Sequence, residues 1–101
     1  MIKYFEVNSE TKIPVRISRR TLIQFEEFTK KGLSQLGDLS TGELSYLLFL
    51  GAKEGYRFLN EKMPYKNYES FEDILDLMDI TDFFTKSGEV VSGFFTSQKG
   101  K

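Results

Sequence analysis

The strongest constraint on the fold is a run of nine uncharged residues, Leu44 to Ala52, that contains four leucines, a phenylalanine and a tyrosine. Spanning a lipid bilayer takes about 20 apolar residues in a helix. This run is much shorter, because it is bounded by Glu43 on one side and Lys53 on the other. A helix that is apolar on all sides at one end is typical of a central core helix. We therefore expect a folded domain built around this segment, with no membrane span.

The flanking residues predict the limits of this central helix. Ser40, followed three residues later by Glu43, forms a capping box and predicts a helix that starts at the next residue and ends near Glu61. Gly51 and Gly55 are four residues apart and share one helix face. Because each glycine weakens a helix by about 1 kcal/mol relative to alanine, the pair predicts that another element packs closely against this face.

The N-terminal residues predict a β-hairpin. Two short segments rich in β-forming residues, Ile2–Val7 and Ile13–Ile17, flank the polar turn 8–12. In the second segment the branched apolar side chains alternate and share one face. Pro14 has no N–H to donate, so this strand is expected at a sheet edge. Two strands alone are marginally stable in water, and we expect the hairpin to pack on helices.

Further helices are predicted on both sides of the central one. Ser18 is an N-cap residue for a first helix that ends with Gly32 at its C-terminal cap. Ser70, with Asp73 in the position of a capping box, predicts the start of a third helix. Apolar residues at helical spacing across 83–95 predict a fourth.

These elements predict an α+β fold, in which an N-terminal β-hairpin packs on a small bundle of about four α-helices. The length suits a single domain over residues 1–101. Within it we expect the β-hairpin at 1–17, the helical part at 18–97 and a frayed tail at 98–101.

The composition removes most catalytic and metal-binding chemistry. The chain has no histidine and no cysteine, which excludes the usual zinc sites, the Ser-His and Cys-His pairs, and disulfides. Asp73, Asp76, Asp79 and Asp82 recur every third residue, but a calcium-binding loop needs oxygens at every second residue and a central glycine. We interpret these residues as a solvated acidic face and expect no cofactor, no metal and no enzymatic activity.

The N-terminal sequence gives no targeting signal. In MIKYFEVNSE, Lys3 and Glu6 interrupt the apolar residues, and no small-residue cleavage site follows. The absence of cysteine fits a reducing compartment. We therefore expect a soluble protein of the cytoplasm.

Three arginines, Arg16, Arg19 and Arg20, leave one alternative open. They would suit a small regulatory binding protein, antitoxin-like or repressor-like, that contacts DNA phosphates. A net charge of −1 gives no general attraction for nucleic acid, and the arginines have no flanking aromatic residues. Their position between a strand and a helix also predicts contacts with carboxylates on neighbouring segments, so nucleic acid is not the expected partner.

Paired aromatic residues near the C-terminus have two interpretations, burial in the core and a docking surface for an apolar partner segment. Both hold if a partner covers the part that the core leaves open. These aromatic residues lie on one broad face of the fourth helix, and their number exceeds what a small core needs from one helix. Large exposed apolar patches mark binding sites in many proteins. The predicted groove combines this helix face with two tyrosines from the preceding loop, and its members are Phe83, Phe84, Val91, Phe94, Phe95, Tyr65 and Tyr68.

The segments also follow the order found in a known protein family. A hairpin ending in IPVRISRRTLIQFEEFTKKGLSQL leads to the Leu-rich helix LSYLLFLGAKEGYR, then to an aromatic loop, SFEDILDLMD and a final amphipathic helix. This order resembles the tail assembly chaperones of long-tailed bacteriophages and prophages. In that family an arginine-containing helix opening, a Leu-Leu-x-x-Gly/Ala central helix and a Phe-Glu-Asp/Glu helix start recur in this order. The resemblance covers nearly the whole chain.

The resemblance implies a function without catalysis or cofactor. Such chaperones bind the long, helical tape measure protein before and during polymerisation of the tail tube, keep it soluble and recruit tube subunits, and they are absent from the finished virion. The implied partners are therefore the tape measure protein and tail tube subunits in the cytoplasm of a bacterial host, with self-association as a second mode of interaction. An amphipathic helix of the partner would place anchors at i, i+3, i+4 and i+7 in the predicted groove.

Overall fold

An antiparallel β-hairpin and four α-helices form the fold in the computed structural model, which describes residues 2–99 apart from the side chains of residues 33, 34, 36 and 95–99. In chain order the elements are β1 Lys3–Glu6, β2 Lys12–Val15, α1 Arg19–Thr29, a 3₁₀ helix Leu33–Asp38, α2 Thr41–Phe58, α3 Tyr68–Leu75 and α4 Ile80–Lys99. The predicted α+β fold class is confirmed. Helix α4 reaches two residues beyond the predicted helical part, and residues 100 and 101 lie outside the described residues.

Two of the predicted helix starts are confirmed. The Ser18 hydroxyl accepts a hydrogen bond from the Thr21 N–H at 3.3 Å. The Ser40 hydroxyl accepts from the Glu43 N–H at 3.2 Å, while the Glu43 carboxylate accepts from the Ser40 N–H at 2.9 Å. That backbone hydrogen bond and the Lys31 ammonium, 2.9 Å from the carboxylate, lower the pKa of Glu43.

Helix α1 ends earlier than predicted. Lys30, and not Gly32, forms the cap; it adopts the left-handed conformation with φ 64° and donates its N–H to the Glu26 carbonyl at 2.8 Å. The Thr29 hydroxyl accepts a hydrogen bond from the Lys31 N–H at 3.1 Å. Because these two hydrogen bonds close the last turn, the helix stops before the glycine.

Helix α2 also ends before its predicted limit near Glu61. Asn60 adopts the left-handed conformation with φ 60° and donates its N–H to the Arg57 carbonyl at 3.1 Å, and the Glu61 N–H donates to the Tyr56 carbonyl at 2.9 Å. These two hydrogen bonds form a Schellman motif, in which asparagine takes the place usually held by glycine. The motif terminates α2 at Phe58.

The N-cap of α3 is Asn67, three residues before the predicted Ser70. The Asn67 side-chain oxygen accepts a hydrogen bond from the Ser70 N–H at 2.8 Å. Asparagine is as good an N-cap as serine. Since Ser70 itself lies in the first turn of the helix, the predicted capping box with Asp73 does not form.

The hairpin turns one face into the core, as predicted. Strands β1 and β2 pair antiparallel, with Phe5 opposite Ile13 and Lys3 opposite Val15. The side chains of Phe5, Ile13 and Val15 are fully buried. At the turn, the Asn8 side-chain oxygen accepts hydrogen bonds from two backbone N–H groups, those of residues 10 and 11, at 2.9 Å.

The two glycines of α2 let β2 approach the helix backbone, which confirms the prediction of a close contact. A Cβ at Gly55 would overlap the carbonyl oxygen of Pro14, and one at Gly51 would lie 2.8 Å from Val15 Cγ1. The Arg16 N–H donates a hydrogen bond to the Gly51 carbonyl at 3.0 Å. Strand and helix are therefore joined by backbone contact and not only by side-chain packing.

Helix α2 lies at the centre of the fold and contributes to two apolar clusters, as its apolar sequence predicts. One cluster joins the hairpin, α2, α3 and α4; its buried members are Phe5, Val7, Ile13, Val15, Leu48, Ala52, Phe71, Leu75, Phe83, Val90 and Phe94. The other joins α1, α2 and α4 through Phe25, Leu47, Leu50 and Val91. Helix α4 closes the core by packing on β1.

Substitution of Gly55 by alanine tests the contact between β2 and α2. Alanine has the higher helix propensity, yet its methyl group would strike the Pro14 backbone. We expect Gly55→Ala to lower the free energy of unfolding by about 2 kcal/mol or more, the range of overpacked cores. Urea unfolding followed by circular dichroism measures it.

Gly88 provides the matched control on α4. It is exposed, and no atom lies within 4 Å of a Cβ placed there. Gly88→Ala should therefore raise the free energy of unfolding by up to about 1 kcal/mol. If both alanine variants were equally stable or both more stable than the parent, the close contact would be wrong.

Candidate protein-binding surface

Most of the aromatic groove predicted on α4 is used by the core. Phe83, Val91 and Phe94 are 4%, 8% and 7% exposed. The Phe83 ring packs edge-on against Phe5 of β1, with ring centroids 6.3 Å apart. The Lys3 ammonium lies 5.9 Å from the centre of the Phe94 ring. These three predicted binding residues are therefore covered by the protein itself.

Of the predicted α4 residues, Phe84 is the one that the structure places on the surface. Its side chain is 45% exposed, and its ring contacts Phe83 edge-on at 5.5 Å. Phe95 falls outside the described side chains. The described part of α4 thus contributes one exposed aromatic residue to a binding surface, where the sequence predicted several.

Both predicted loop tyrosines are half-buried; Tyr65 lies in the loop, whereas Tyr68 is the first residue of α3. The Tyr65 ring packs edge-on against Phe71 at 5.6 Å. The Tyr68 ring packs against Tyr46 at 5.5 Å and Phe49 at 5.2 Å, and its hydroxyl donates a hydrogen bond to the Gly42 carbonyl at 3.3 Å. They belong to an aromatic layer that attaches α3 to α2, away from the exposed side of α4.

Burial keeps the phenols of this layer neutral. It raises the pKa of Tyr68 far above the ordinary value of 10, and the neighbouring Glu72 adds to the effect. Burial, with the nearby Tyr65, raises the pKa of Tyr56 to about 12. Neutral phenols with raised pKa values suit packing and hydrogen bonding and are poor proton donors or acceptors at neutral pH.

A different apolar surface lies where α3 ends and α4 begins. Leu77, Ile80 and Phe84 are 66%, 58% and 45% exposed and fall within eight residues of chain. Ile80 and Phe84 are four residues apart and share one face of α4, and Leu77 lies in the preceding turn. We call these three residues the apolar patch. Exposed leucine, isoleucine and phenylalanine grouped in this way are typical of a protein-binding surface.

The apolar patch lies in the most acidic part of the chain. Residues 67–85 contain six acidic residues and no lysine or arginine, whereas the rest of the chain holds all 14 bases and only nine of the 15 acids. The overall net charge of −1 therefore conceals a strong local excess of negative charge. The six acids are Glu69, Glu72, Asp73, Asp76, Asp79 and Asp82.

Sequence reasoning missed this patch because the third helix predicted from Ser70 onward would include Leu77 among its apolar residues. Helix α3 ends at Leu75, so Leu77 lies in a turn and points away from the core. The aspartates at every third residue were interpreted as a solvated face, which agrees with their exposure. The signal available in the sequence was the combination of the two, apolar residues placed between acids in a segment, 67–85, that holds no lysine or arginine.

Two of the other exposed apolar side chains have ring or cation partners. Phe28 of α1 is 66% exposed and stacks on Tyr46 with ring centroids 4.2 Å apart. Phe58 is 54% exposed and lies beneath the Arg16 guanidinium, 4.6 Å from its central carbon. Tyr4 lies on the hairpin, and Ile23, 38% exposed, lies on α1 with Phe28. Elsewhere among the described residues, no three exposed large apolar side chains fall within eight residues of chain.

The arginine segment contacts a carboxylate, as its position predicts. Glu54 is 7% exposed, and its carboxylate oxygen lies 2.9 Å from Arg16 Nη1 and 2.7 Å from Arg57 Nη2. The hydrogen bonds from Arg57, together with the charges of the neighbouring arginines, hold the pKa of Glu54 below its ordinary value. Arg16 is thus engaged inside the fold, while Arg19 and Arg20 are exposed.

The described residues contain neither a cluster of metal-ligating side chains nor a membrane-spanning helix. There, no three acidic residues are grouped so that they could hold a metal ion. Within the same part of the chain, no helix combines the length and apolar character needed to cross a bilayer.

Comparison with known protein families, with curated proteins and with solved structures found no match to this chain.

Glu54→Gln tests the buried ion pair. The variant leaves Arg16 without its anionic partner in a partly buried position, and we expect the free energy of unfolding at pH 7 to fall by about 2 kcal/mol. As a control, Glu27→Gln removes an exposed carboxylate of α1. This variant should change the free energy of unfolding by less than about 0.5 kcal/mol.

The same variant tests the pH dependence. Because the pKa of Glu54 is lower in the folded than in the unfolded protein, its contribution is complete above the ordinary value of 4.5 and is lost as the pH falls through the folded value. Stability of the parent should therefore drop below about pH 4.5, with a shallower drop in Glu54→Gln. The pKa of Glu43 is also lowered, so Glu43 accounts for part of the loss of stability at low pH that remains in Glu54→Gln. Parallel pH profiles for the two proteins would contradict this role of Glu54.

Proposed function

We propose that this protein is a tail assembly chaperone that binds the tape measure protein of a long-tailed bacteriophage or prophage and assists assembly of the tail tube. The order of sequence segments supports the family, and the confirmed α+β fold agrees with that order. The observation that carries the proposal is the apolar patch, formed by Leu77, Ile80 and Phe84 on the protein surface. An exposed apolar patch suits a protein that holds another polypeptide.

The geometry of the patch suits a helical partner. Ile80 and Phe84 form a ridge along the first turns of α4, and Leu77 extends it into the preceding turn. An amphipathic helix packs its apolar stripe, spaced at i, i+3, i+4 and i+7, against a surface of this kind. Tape measure proteins are long and helical, so they offer such stripes repeatedly along their length.

The size of the patch predicts weak binding by a single copy. Full burial of a leucine, isoleucine or phenylalanine side chain contributes about 1.5–3 kcal/mol, and only about half of each patch residue remains to be covered. The gain is then about 3 kcal/mol, before the loss of translational and rotational freedom on association is subtracted. Several copies bound along one tape measure protein would keep it soluble, and weak individual contacts would let tube subunits displace them.

A solubility assay tests this function. The tape measure protein of the same phage genome is expressed alone and together with the chaperone, and its soluble fraction is measured. We expect co-expression to increase the soluble tape measure protein, and the double variant Leu77→Asp/Phe84→Asp to abolish the increase because charged residues then replace the apolar anchors. Circular dichroism establishes that the variant, altered at exposed positions, remains folded.

Phe28→Asp is the matched control, since it replaces an equally exposed phenylalanine on α1. We expect this variant to hold the tape measure protein as well as the parent does. If instead Phe28→Asp failed and the double variant succeeded, the assignment of the surface would be wrong. If the parent chain itself left the tape measure protein insoluble and unbound, the proposed function would be wrong.

A further inference from the structure

The acidic residues around the apolar patch are exposed and unneutralised. All six lie within 14 residues of chain, and all but Glu72 are exposed. Within the described part of the chain, none of them forms an ion pair. The Asp79 carboxylate accepts a hydrogen bond from the Thr81 N–H at 3.1 Å, and so caps the start of α4. The remaining negative charges face water.

Charge of one sign around an apolar surface selects the partner. A bound segment that carried acids would meet like charges across the interface, which is unfavourable by several kcal/mol. A segment that carried lysine or arginine beside its apolar stripe would gain favourable contacts and faster association. Anionic lipid surfaces and nucleic acids are disfavoured for the same reason.

We propose that this acidic and apolar surface binds a basic amphipathic helix of another protein. The apolar stripe of that helix covers Leu77, Ile80 and Phe84, and its lysines or arginines pair with Asp73 and Asp76 of the preceding segment. The inference deepens the proposed function, because it states the chemistry of the tape measure segment that is bound. Only the identification of the partner as the tape measure protein rests on the proposed function. The preference for a basic helix does not depend on which protein supplies that helix.

A second copy of this chain fits the surface less well. A symmetric dimer through the apolar patch would bring the two acidic segments together. The exposed face of α1 in a second copy could instead supply the basic partner, but there the arginines at 19 and 20 are offset by Glu26 and Glu27. The excess of negative charge on residues 67–85 is thus matched by no helix of opposite charge among the described elements.

Two synthetic peptides test the inference directly. Each is about 18 residues long, enough for an isolated helix to form in water, and has the same leucine stripe; one carries lysines on its polar positions and the other glutamates. Binding to the full chain is measured by fluorescence anisotropy of the labelled peptide. We expect the lysine peptide to bind at least about tenfold more tightly than the glutamate peptide, a difference that shrinks as salt is raised.

Variants separate the apolar from the charged contribution. Phe84→Ala should weaken binding of the lysine peptide about tenfold. The variant Asp73→Asn/Asp76→Asn should reduce the preference for the lysine peptide, and it leaves the cap residue Asp79 intact. The matched control Glu26→Gln/Glu27→Gln removes two exposed carboxylates from α1 and should leave both affinities unchanged.

Three results would overturn the inference. The first is equal binding of the two peptides, and the second is a preference for the lysine peptide that is unchanged in Asp73→Asn/Asp76→Asn. The third is self-association of the chain through the patch. It would appear as an apparent molecular mass that increases with protein concentration in the parent and not in Phe84→Ala. If the chain captured the tape measure protein but showed no preference between the two peptides, the proposed function would stand and this inference would be wrong. If the chain preferred the lysine peptide but did not capture the tape measure protein, the proposed function would be wrong and a basic helix of another protein would remain the partner.

Discussion

The close contact between strand β2 and helix α2 is the constraint on which the rest of the structure depends. Gly51 and Gly55 remove the side chains that would hold the two elements apart, and Pro14 and Arg16 then meet the helix backbone directly. This contact places the buried face of the hairpin on the central helix. It also directs Arg16 toward Glu54, so one buried carboxylate is neutralised by the same approach that builds the core.

The position of the hairpin decides which aromatic residues remain for a partner. With β1 in place, Phe5 meets Phe83 and Lys3 meets Phe94, so one face of α4 becomes core. The exposed apolar residues are left at the turn where α3 gives way to α4, a region that the hairpin does not cover. The surface proposed for binding is thus a consequence of how the core is closed. The acidic residues of the same segment would make this surface favour a positively charged partner.

Local rules predicted much of the fold from the sequence. The capping box at Ser40 and Glu43, the hairpin and the glycine contact each depend on residues close together in the chain or on one helix face. The helix ends at Lys30 and Asn60 were missed because asparagine and lysine there adopt a conformation usually left to glycine. The burial of Phe83 and Phe94, two of the residues predicted for the groove, was not foreseen because it depends on long-range contacts such as that between Phe5 and Phe83, which no local pattern encodes.

Nuclear magnetic resonance of the labelled chain, titrated with a soluble tape measure fragment, tests the central claim most directly. The claim is that the turn between α3 and α4, with its apolar patch and acids, is the surface that holds a partner. The account predicts that chemical-shift changes concentrate in residues 69–85 and spare the exposed face of α1. Shift changes centred on α1 around Phe28, with residues 69–85 unaffected, would contradict it.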